Sequence, residues 1–470
     1  MGRTAIILAG GLGTRMKSSL HKVLHPILGK PMILHILHQL MKVDIQQIIV
    51  VVGQHREQVM EVVGTSVEYA IQEEQLGTGH AVLAALPLVK ADSKSTVVLY
   101  GDAPLIQATT IQALLDVQSE TAAAGVVLTA RVENPTGLGR VFVDAGGSVE
   151  KIVEERDASP EERENHCINT GIYAFDTRSL GQACKKLTPS NAQKEYYLTD
   201  VLPLLKQQGL RVVASEIANS DEIASVNDRV QLAQVEKLAQ AARNRELMQS
   251  GVTMLHPEST YVGADVTIGR DTVLYPATHL EGKTSIGEQC IVGPNSRLLD
   301  ATVHDNATIQ YSVVLQSVVG EHASVGPFAY IRPGSTIGEH AKVGDFVEIK
   351  NTHLGKDSKV SHLAYLGDAY VGERVNIGCG VITVNYDGEK KYRTEVGDDS
   401  FIGSNSNLIA PVRVGRGAYV CAGSTITNEV PDDAFAIGRA HQVTKEQYVK
   451  RWKLKRQSAG SAGRESQDEF

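Results

Sequence analysis

From Val262 onward an aliphatic residue returns at every sixth position: Val262, Ile268, Leu274, Leu280, Ile286, Val292 and Leu298. The stripe slips in phase and resumes at Val319, Val325, Ile331, Ile337, Val343 and Ile349, then at Val371 and Ile377. Its last run is Val396, Ile402, Leu408, Val414, Val420 and Ile426. Six is even, so a strand keeps such a stripe on one face, whereas a helix at about 100° per residue turns it by roughly 240° at each repeat. This part of the chain is therefore β. Glycine often follows the aliphatic residue, as in Ile268-Gly269, Ile286-Gly287, Ile337-Gly338, Ile402-Gly403 and Val414-Gly415, where a tight corner uses its backbone freedom. Arrays of this period stack into a parallel β-helix. The longest interruption, "TVNYDGEKKYRTE" at 383–395, is polar and predicts a loop leaving the coil.

Upstream the pattern differs. The runs "AIILAG", "QIIVVVG", "TVVLYGD" and "GVVLTA" read as strands buried on both faces and separated by helix-length segments. That order predicts a mostly parallel α/β sheet with ligands at the carboxyl ends of its strands. Between the two halves, "VNDRVQLAQVEKLAQAARNRELMQSG" is rich in helix formers, with Val235, Leu238 and Ala242 on one side and Gly251 placed to end the helix. The expected organisation is an α/β domain over 1–227, a helical linker over 228–251, the β-helix over 252–437 and a fraying tail over 438–470.

A chain of 470 residues exceeds the usual span of one core. With 46 basic against 54 acidic residues it carries a net charge of −8, which argues against a nucleic-acid binder held by a basic surface. Five scattered cysteines without a CxxC pair fit a reduced compartment. No apolar run approaches the length of a membrane span, and the amino terminus lacks the pattern of a leader peptide. These features together predict a cytoplasmic protein.

The loop "AGGLGTRM" at 9–16 follows the first strand. It fails the dinucleotide fingerprint because Met16 stands where a third glycine is needed, and it lacks the Gly-Lys-Ser/Thr of a Walker loop. Gly10, Gly11 and Gly13 nevertheless let backbone N–H groups approach an anion, and Arg15 and Lys22 supply positive charge. Gln72 and the Gly77-Thr78 pair of "QEEQLGTGHA" stand where amide and backbone groups read a base edge. Asp102 of "YGDAP" stands where a carboxylate suits Mg2+ with waters and phosphates.

In the second half, Arg332, Lys350, His362, Tyr365, Asn376 and the Asn385-Tyr386 pair interrupt coils otherwise built of small and aliphatic residues. Of these, histidine is the side chain suited to act as a general base near neutral pH. Three other readings stand beside this one: a β-helix that only assembles or regulates, a sugar-nucleotide sensor, and a zinc-dependent hydratase using His353, His362 and a further imidazole.

Taken together, GGxGTRM with Lys22, QxxxxGT, YGD, "NPTGLGR", "IVEERD", "INTGIY", "NAQKEYYLTD" and "VND" closely resemble the sugar-nucleotide pyrophosphorylases. In order and spacing they are similar to the bacterial bifunctional UDP-N-acetylglucosamine pyrophosphorylase / glucosamine-1-phosphate N-acetyltransferase family. The resemblance covers nearly the whole chain except about the last thirty residues. It implies a Rossmann-like nucleotidyltransferase domain followed by a left-handed parallel β-helix of hexapeptide repeats, assembled as a homotrimer with acetyl-transfer sites between subunits. It further implies that Leu8, Ala9, Gly10, Gly11, Lys22, Gln72, Gly77, Thr78, Tyr100, Gly101 and Asp102 hold the uridine nucleotide. Gly139, Glu154 and Asn169 would receive the N-acetylglucosamine part, and Asp102 with Asn227 Mg2+. Arg15 and Lys22 would stabilise the transition state of uridylyl transfer from UTP to N-acetylglucosamine-1-phosphate.

For the β-helix, the resemblance implies His362 as the base and Arg332 and Lys350 on the phosphate of glucosamine-1-phosphate. Tyr365 and Asn376 would position the sugar, and Cys379, Asn385, Tyr386, Ser404, Ala422 and Arg439 would lie along acetyl-coenzyme A. A backbone N–H in Gly378–Gly380 is the expected oxyanion donor. Two residues depart from the family pattern: Gly10 and Cys379 each stand where alanine is usual.

Overall fold

The computed structural model describes residues 2–189 and 194–462, with side chains described as far as 458. Asn191, Ala192 and Gln193 of the "NAQKEYYLTD" stretch lie outside the described residues, as does the end of the tail from 463.

The first unit, residues 1–301, contains the α/β domain, the linker helix and the first coils. Its sheet runs in the order Val212–Glu216, Gly125–Arg131, Cys167–Asp176, Ser93–Tyr100, Gly2–Ala9, Gln47–Val52 and Glu68–Ile71. All neighbours pair parallel except Cys167–Asp176, which is antiparallel to both of its partners. The strands Gly2–Ala9 and Gln47–Val52 are largely buried, and apolar clusters cover both faces of the sheet. Uninterrupted β-branched runs rather than alternating ones are the consequence. A hairpin of Arg140–Val143 and Val149–Val153 extends from Cys167–Asp176.

The linker helix spans Arg229–Gln249 and is capped by Asp228, whose carboxylate accepts from the N–H groups of Val230 and Gln231. Its buried positions are Val235, Ala239, Asn244 and Leu247, whereas Ala242 is exposed. The expected face is displaced because polar contacts also anchor the helix. Glu236 accepts from the N–H of Leu28 at 3.0 Å, and Asn244 donates to the carbonyl of Thr260 at 2.9 Å.

In the coils of the first unit, Thr253–Met254 pairs with Val273–Leu274, and Tyr261–Val262 with His279–Glu281, always in parallel. The second unit, residues 302–470, continues this grammar. Ile331 lies in register with Ile349, 18 residues on, and Ile349 with Leu366, 17 on. The phase slips are therefore corners one residue shorter. Strands keep their buried aliphatics, and the corner absorbs the loss. The register step grows to 25 between Ile377 and Ile402, because the predicted loop leaves the coil as a hairpin closed by a Tyr386–Lys391 bridge. Where the sequence suggests fraying, Tyr448–Ala462 is helical, consistent with the helix propensity of its Lys, Arg, Leu and Gln residues.

Candidate active sites

At the carboxyl ends of the central strands two cavities adjoin. One, of about 340 Å3, is lined by Leu8, Ala9, Gly10, Gly11, Lys22, Gln72, Gly77, Thr78, Tyr100, Asp102 and Asn227. The other, of about 620 Å3, is lined by Gly139, Glu154 and Asn169, and shares the wall of Thr78, Tyr100, Asp102 and Asn227. Of the residues expected here, Gly101 and Arg15 line neither cavity. Gly101 packs between strands, its N–H donating to the carbonyl of Leu8 at 2.9 Å. Arg15 reaches the site through its guanidinium, which donates to Asn227 Oδ1 at 2.9 Å.

Gly13 explains how the loop turns. Its φ is +60°, and a Cβ there would lie 2.6 Å from the Cβ of Lys22, so glycine both relieves the backbone and lets Lys22 approach. Lys22 Nζ pairs with Asp102 and donates to Asn227 Oδ1 at 3.0 Å. One carboxylate and one amide oxygen thus converge on the Lys22 ammonium, and the amide oxygen also accepts from Arg15. Such hard oxygen donors fit Mg2+, which keeps several waters and takes few protein ligands. Among the described residues there is no group of three or more His, Cys, Asp or Glu able to hold a metal. His353 instead stacks on Tyr370, so among the described residues of one chain the three-imidazole zinc reading has no ligand set.

Gln72 is buried, and its Nε2 donates to the carbonyl of Gly77 at 3.1 Å and meets His80 Nδ1 at 3.2 Å. Its Oε1 is the atom left to read a base. A methyl group at position 10 would sit 2.8 Å from that oxygen, so Gly10 is more accommodating than the expected alanine. Gln75, which sequence reasoning passes over, also lines the nucleotide cavity, with a buried Nε2 that has no partner among the described residues.

In the larger cavity, burial raises the Glu154 carboxyl above its ordinary pKa, and the charges of Asp157 and Asp200 add to the effect. The neighbouring Glu155 pairs at 2.8 Å with Arg140, which is buried, tying "NPTGLGR" to "IVEERD". Asn169 donates from its backbone to the carbonyl of Gly139 and from its side chain to the Tyr173 hydroxyl at 2.9 Å.

In the β-helix the candidates fall into two columns. Lys350 is in register with Gly367, and the N–H of Arg332 donates to the carbonyl of Ile349 at 2.8 Å, so Arg332 and Lys350 occupy adjacent coils. Arg332 pairs with Glu348 at 2.7 Å, and Lys350 approaches Asp368 at 3.7 Å. Asp368 also accepts from Asn351 at 2.7 Å and from Asn385. Burial pushes the Asp368 carboxyl upward, but these hydrogen bonds and the charges of Lys350 and Lys391 outweigh it and leave the pKa below the ordinary value. Lys391, on the protruding hairpin, is pushed down by the adjacent Lys350.

The second column starts at Asp345 and His362, which share a register position. The N–H of Asn405 donates to the carbonyl of Cys379 at 2.7 Å, and that of Gly423 to Ser404 at 2.8 Å, so Cys379, Ser404 and Ala422 follow on successive coils. Asn376 lies in the same sheet, Tyr365 in the sheet of Lys350, and Arg439 contacts Cys421 Sγ at 3.7 Å. Asn385 is buried and Tyr386 exposed at the base of the hairpin. Gly378 and Gly380 donate their N–H groups to Ile402 and Leu363, which leaves the N–H of Cys379 as the donor available within that segment.

Comparison with known proteins finds a different family in each half of the chain. Residues 4–221 match the nucleotidyl transferase family, and residues 316–351 and 393–428 match the bacterial transferase hexapeptide repeats. A bifunctional protein GlmU from Geobacillus sp. (strain WCH70) is 52% identical over 97% of this chain and 99% of that protein. Those from Geobacillus thermodenitrificans and an Exiguobacterium species are each 51% identical, over 97% and 96% of this chain and 99% and 100% of theirs. The chain belongs to the bifunctional GlmU family, enzymes that join a uridylyltransferase and an acetyltransferase in one polypeptide.

Proposed function

We propose that the β-helix moves an acetyl group from acetyl-coenzyme A to glucosamine-1-phosphate, and that the α/β half then joins the released N-acetylglucosamine-1-phosphate to UTP, expelling pyrophosphate. The product, UDP-N-acetylglucosamine, would supply cell-wall synthesis in the cytoplasm. The observation that carries this reading is the pair of adjoining cavities with a common wall at Asp102 and Asn227. A nucleotide in the smaller cavity has its α-phosphorus at that wall, facing a sugar phosphate in the larger one.

Uridylyl transfer needs alignment and charge neutralisation more than a covalent catalyst. Lys22 and Arg15 serve the developing negative charge. The glycine loop and Gln72 hold the nucleotide, and Glu154, Asn169 and Gly139 orient the sugar. Mg2+ held by Asp102 and Asn227 would add neutralisation of the triphosphate.

In acetyl transfer Arg332 and Lys350 grip the sugar phosphate, joined by Lys391. Tyr365 and Asn376 orient the ring, and His362 takes the proton of the attacking nitrogen. The N–H of Cys379 steadies the oxyanion, and Cys379, Ser404, Ala422, Arg439 and the Asn385-Tyr386 pair line the coenzyme. In this reading the Cys379 thiol is a small filler. A homotrimer, with acetyl-transfer sites completed between copies, belongs to the same proposal.

The test supplies glucosamine-1-phosphate, acetyl-coenzyme A, UTP and Mg2+ and follows free thiol and pyrophosphate separately. Both products are expected. Pyrophosphate only when N-acetylglucosamine-1-phosphate is supplied would leave the β-helix without its transfer, and neither product would sink the whole reading.

A further inference from the structure

Asp345 closes the strand Lys342–Asp345, and His362 closes Lys359–His362 on the next coil, in register. Side chains at matched positions of adjacent parallel strands point the same way, and Asp345 Oδ1 stands 2.6 Å from His362 Nδ1. A carboxylate can only accept, so in the neutral ring the proton sits on Nδ1 and the lone pair on Nε2. The His362 side chain is 58% exposed, leaving the ring open to substrate. The carboxyl of Asp345 is held below its ordinary pKa, first by the hydrogen bond from His362, so it remains an acceptor at neutral pH.

We propose that Asp345 is a positioning residue for acetyl transfer, fixing the tautomer and orientation of His362 so that Nε2 is the atom that takes the proton. The proposal rests on the reading of His362 as the base. The substrate ammonium first loses one proton to solvent. As the amine nitrogen forms its bond to the thioester carbonyl carbon, Nε2 takes a second proton from that nitrogen. The oxyanion collapses, the carbon–sulfur bond breaks with its electron pair on sulfur, and the imidazolium returns the proton to the thiolate. Asp345 keeps the Nδ1–H throughout and steadies the positive ring midway.

A purely structural role predicts something else. Exposed pairs of this kind add little to stability, so removing Asp345 should leave the melting temperature in place while changing the chemistry.

The test uses the full-length chain with Asp345→Ala, His362→Ala and the double variant. Thiol release is followed for glucosamine-1-phosphate, pyrophosphate release for N-acetylglucosamine-1-phosphate, and melting temperature for each protein. Asp345→Ala should lower the kcat of acetyl transfer about tenfold to a hundredfold, the usual cost of losing such a partner. KM, pyrophosphate release and melting temperature should stay near those of the parent. In the His362→Ala background the same substitution should change nothing further, because Asp345 acts through that ring. Parental kcat in Asp345→Ala, a loss confined to KM or melting temperature, or a full additional loss in the double variant overturns the proposal. Undiminished acetyl transfer by His362→Ala alone overturns the base assignment beneath it.

Discussion

The two candidate sites are assembled in opposite ways. In the α/β half, Lys22 and Arg15 meet Asn227 across sequence separations of 205 and 212 residues, brought together by loops at strand ends. In the β-helix, His362 meets Asp345 across 17 residues, one turn of the coil. The first arrangement makes a walled cavity whose cations already lie on the oxygens proposed for Mg2+. The second makes open columns in which neighbours are set by the coil period. A site built from loops depends on a few backbone conformations, whereas a site built from columns depends on register.

The sharpest way to break this comparison is to disable each site alone. His362→Ala should reduce thiol release by about 10^3 and leave pyrophosphate release from N-acetylglucosamine-1-phosphate intact. Asp102→Ala should do the reverse by a comparable factor. Loss of both activities in either variant would mean that the halves do not divide the work. Gly13→Ala comes next in size. The added methyl forces Lys22 aside, and uridylyl transfer should fall about tenfold to a hundredfold, with acetyl transfer unaffected. An unchanged rate would show that the loop does not aim Lys22.

Smaller effects concern charge and burial. Glu154 has its pKa raised in the folded protein, chiefly by burial, so ionising it costs stability as the pH rises from the ordinary carboxyl value through the raised one. Glu154→Gln should therefore melt about a degree or two above the parent at pH 8 and together with it at pH 4, while KM for N-acetylglucosamine-1-phosphate rises. Thermal melts across pH check the first, and initial rates the second. His21 lies beside Lys22, and burial, with the charges of His55, Lys22 and His25, lowers its pKa from 6.5 to about 4. The stability it contributes is full above pH 6.5 and is lost as the pH falls from there to about 4. His21→Asn, which can still accept from the N–H of Val23, should flatten that acid loss in melts between pH 7 and 4.5.

The same contrast explains what could be read from the sequence. The β-helix was legible because six-residue periodicity survives corners of variable length, as Ile331, Ile349 and Leu366 show with steps of 18 and then 17. The phase slips themselves were not legible as short corners, since nothing in composition marks a missing corner residue. The hairpin at 383–395 announced itself through polarity. Asp345, Glu348 and Asp368 did not stand out among 54 acidic residues, although counting one coil back from His362 and one coil on from Arg332 and Lys350 would have singled them out as candidates for pairing.

In the α/β half the glycine loop and Asp102 were visible as strand-end motifs. The partnering of Arg140 with Glu155 and the unbonded amide of Gln75 were not, because each depends on loop geometry. The linker helix misled hydrophobic counting because Glu236 and Asn244, both polar, hold it in place.

Coil geometry also sets a scale of length. Adjacent strands are about 4.8 Å apart, so the three coil steps from His362 through Cys379 and Ser404 to Ala422 measure about 14 Å. That span can lengthen or shorten only by whole turns of chain, because the loss of one residue is taken up in a corner and leaves the spacing untouched. The column is a ruler graduated in coils, and the reach of any ligand laid along it is matched in those increments.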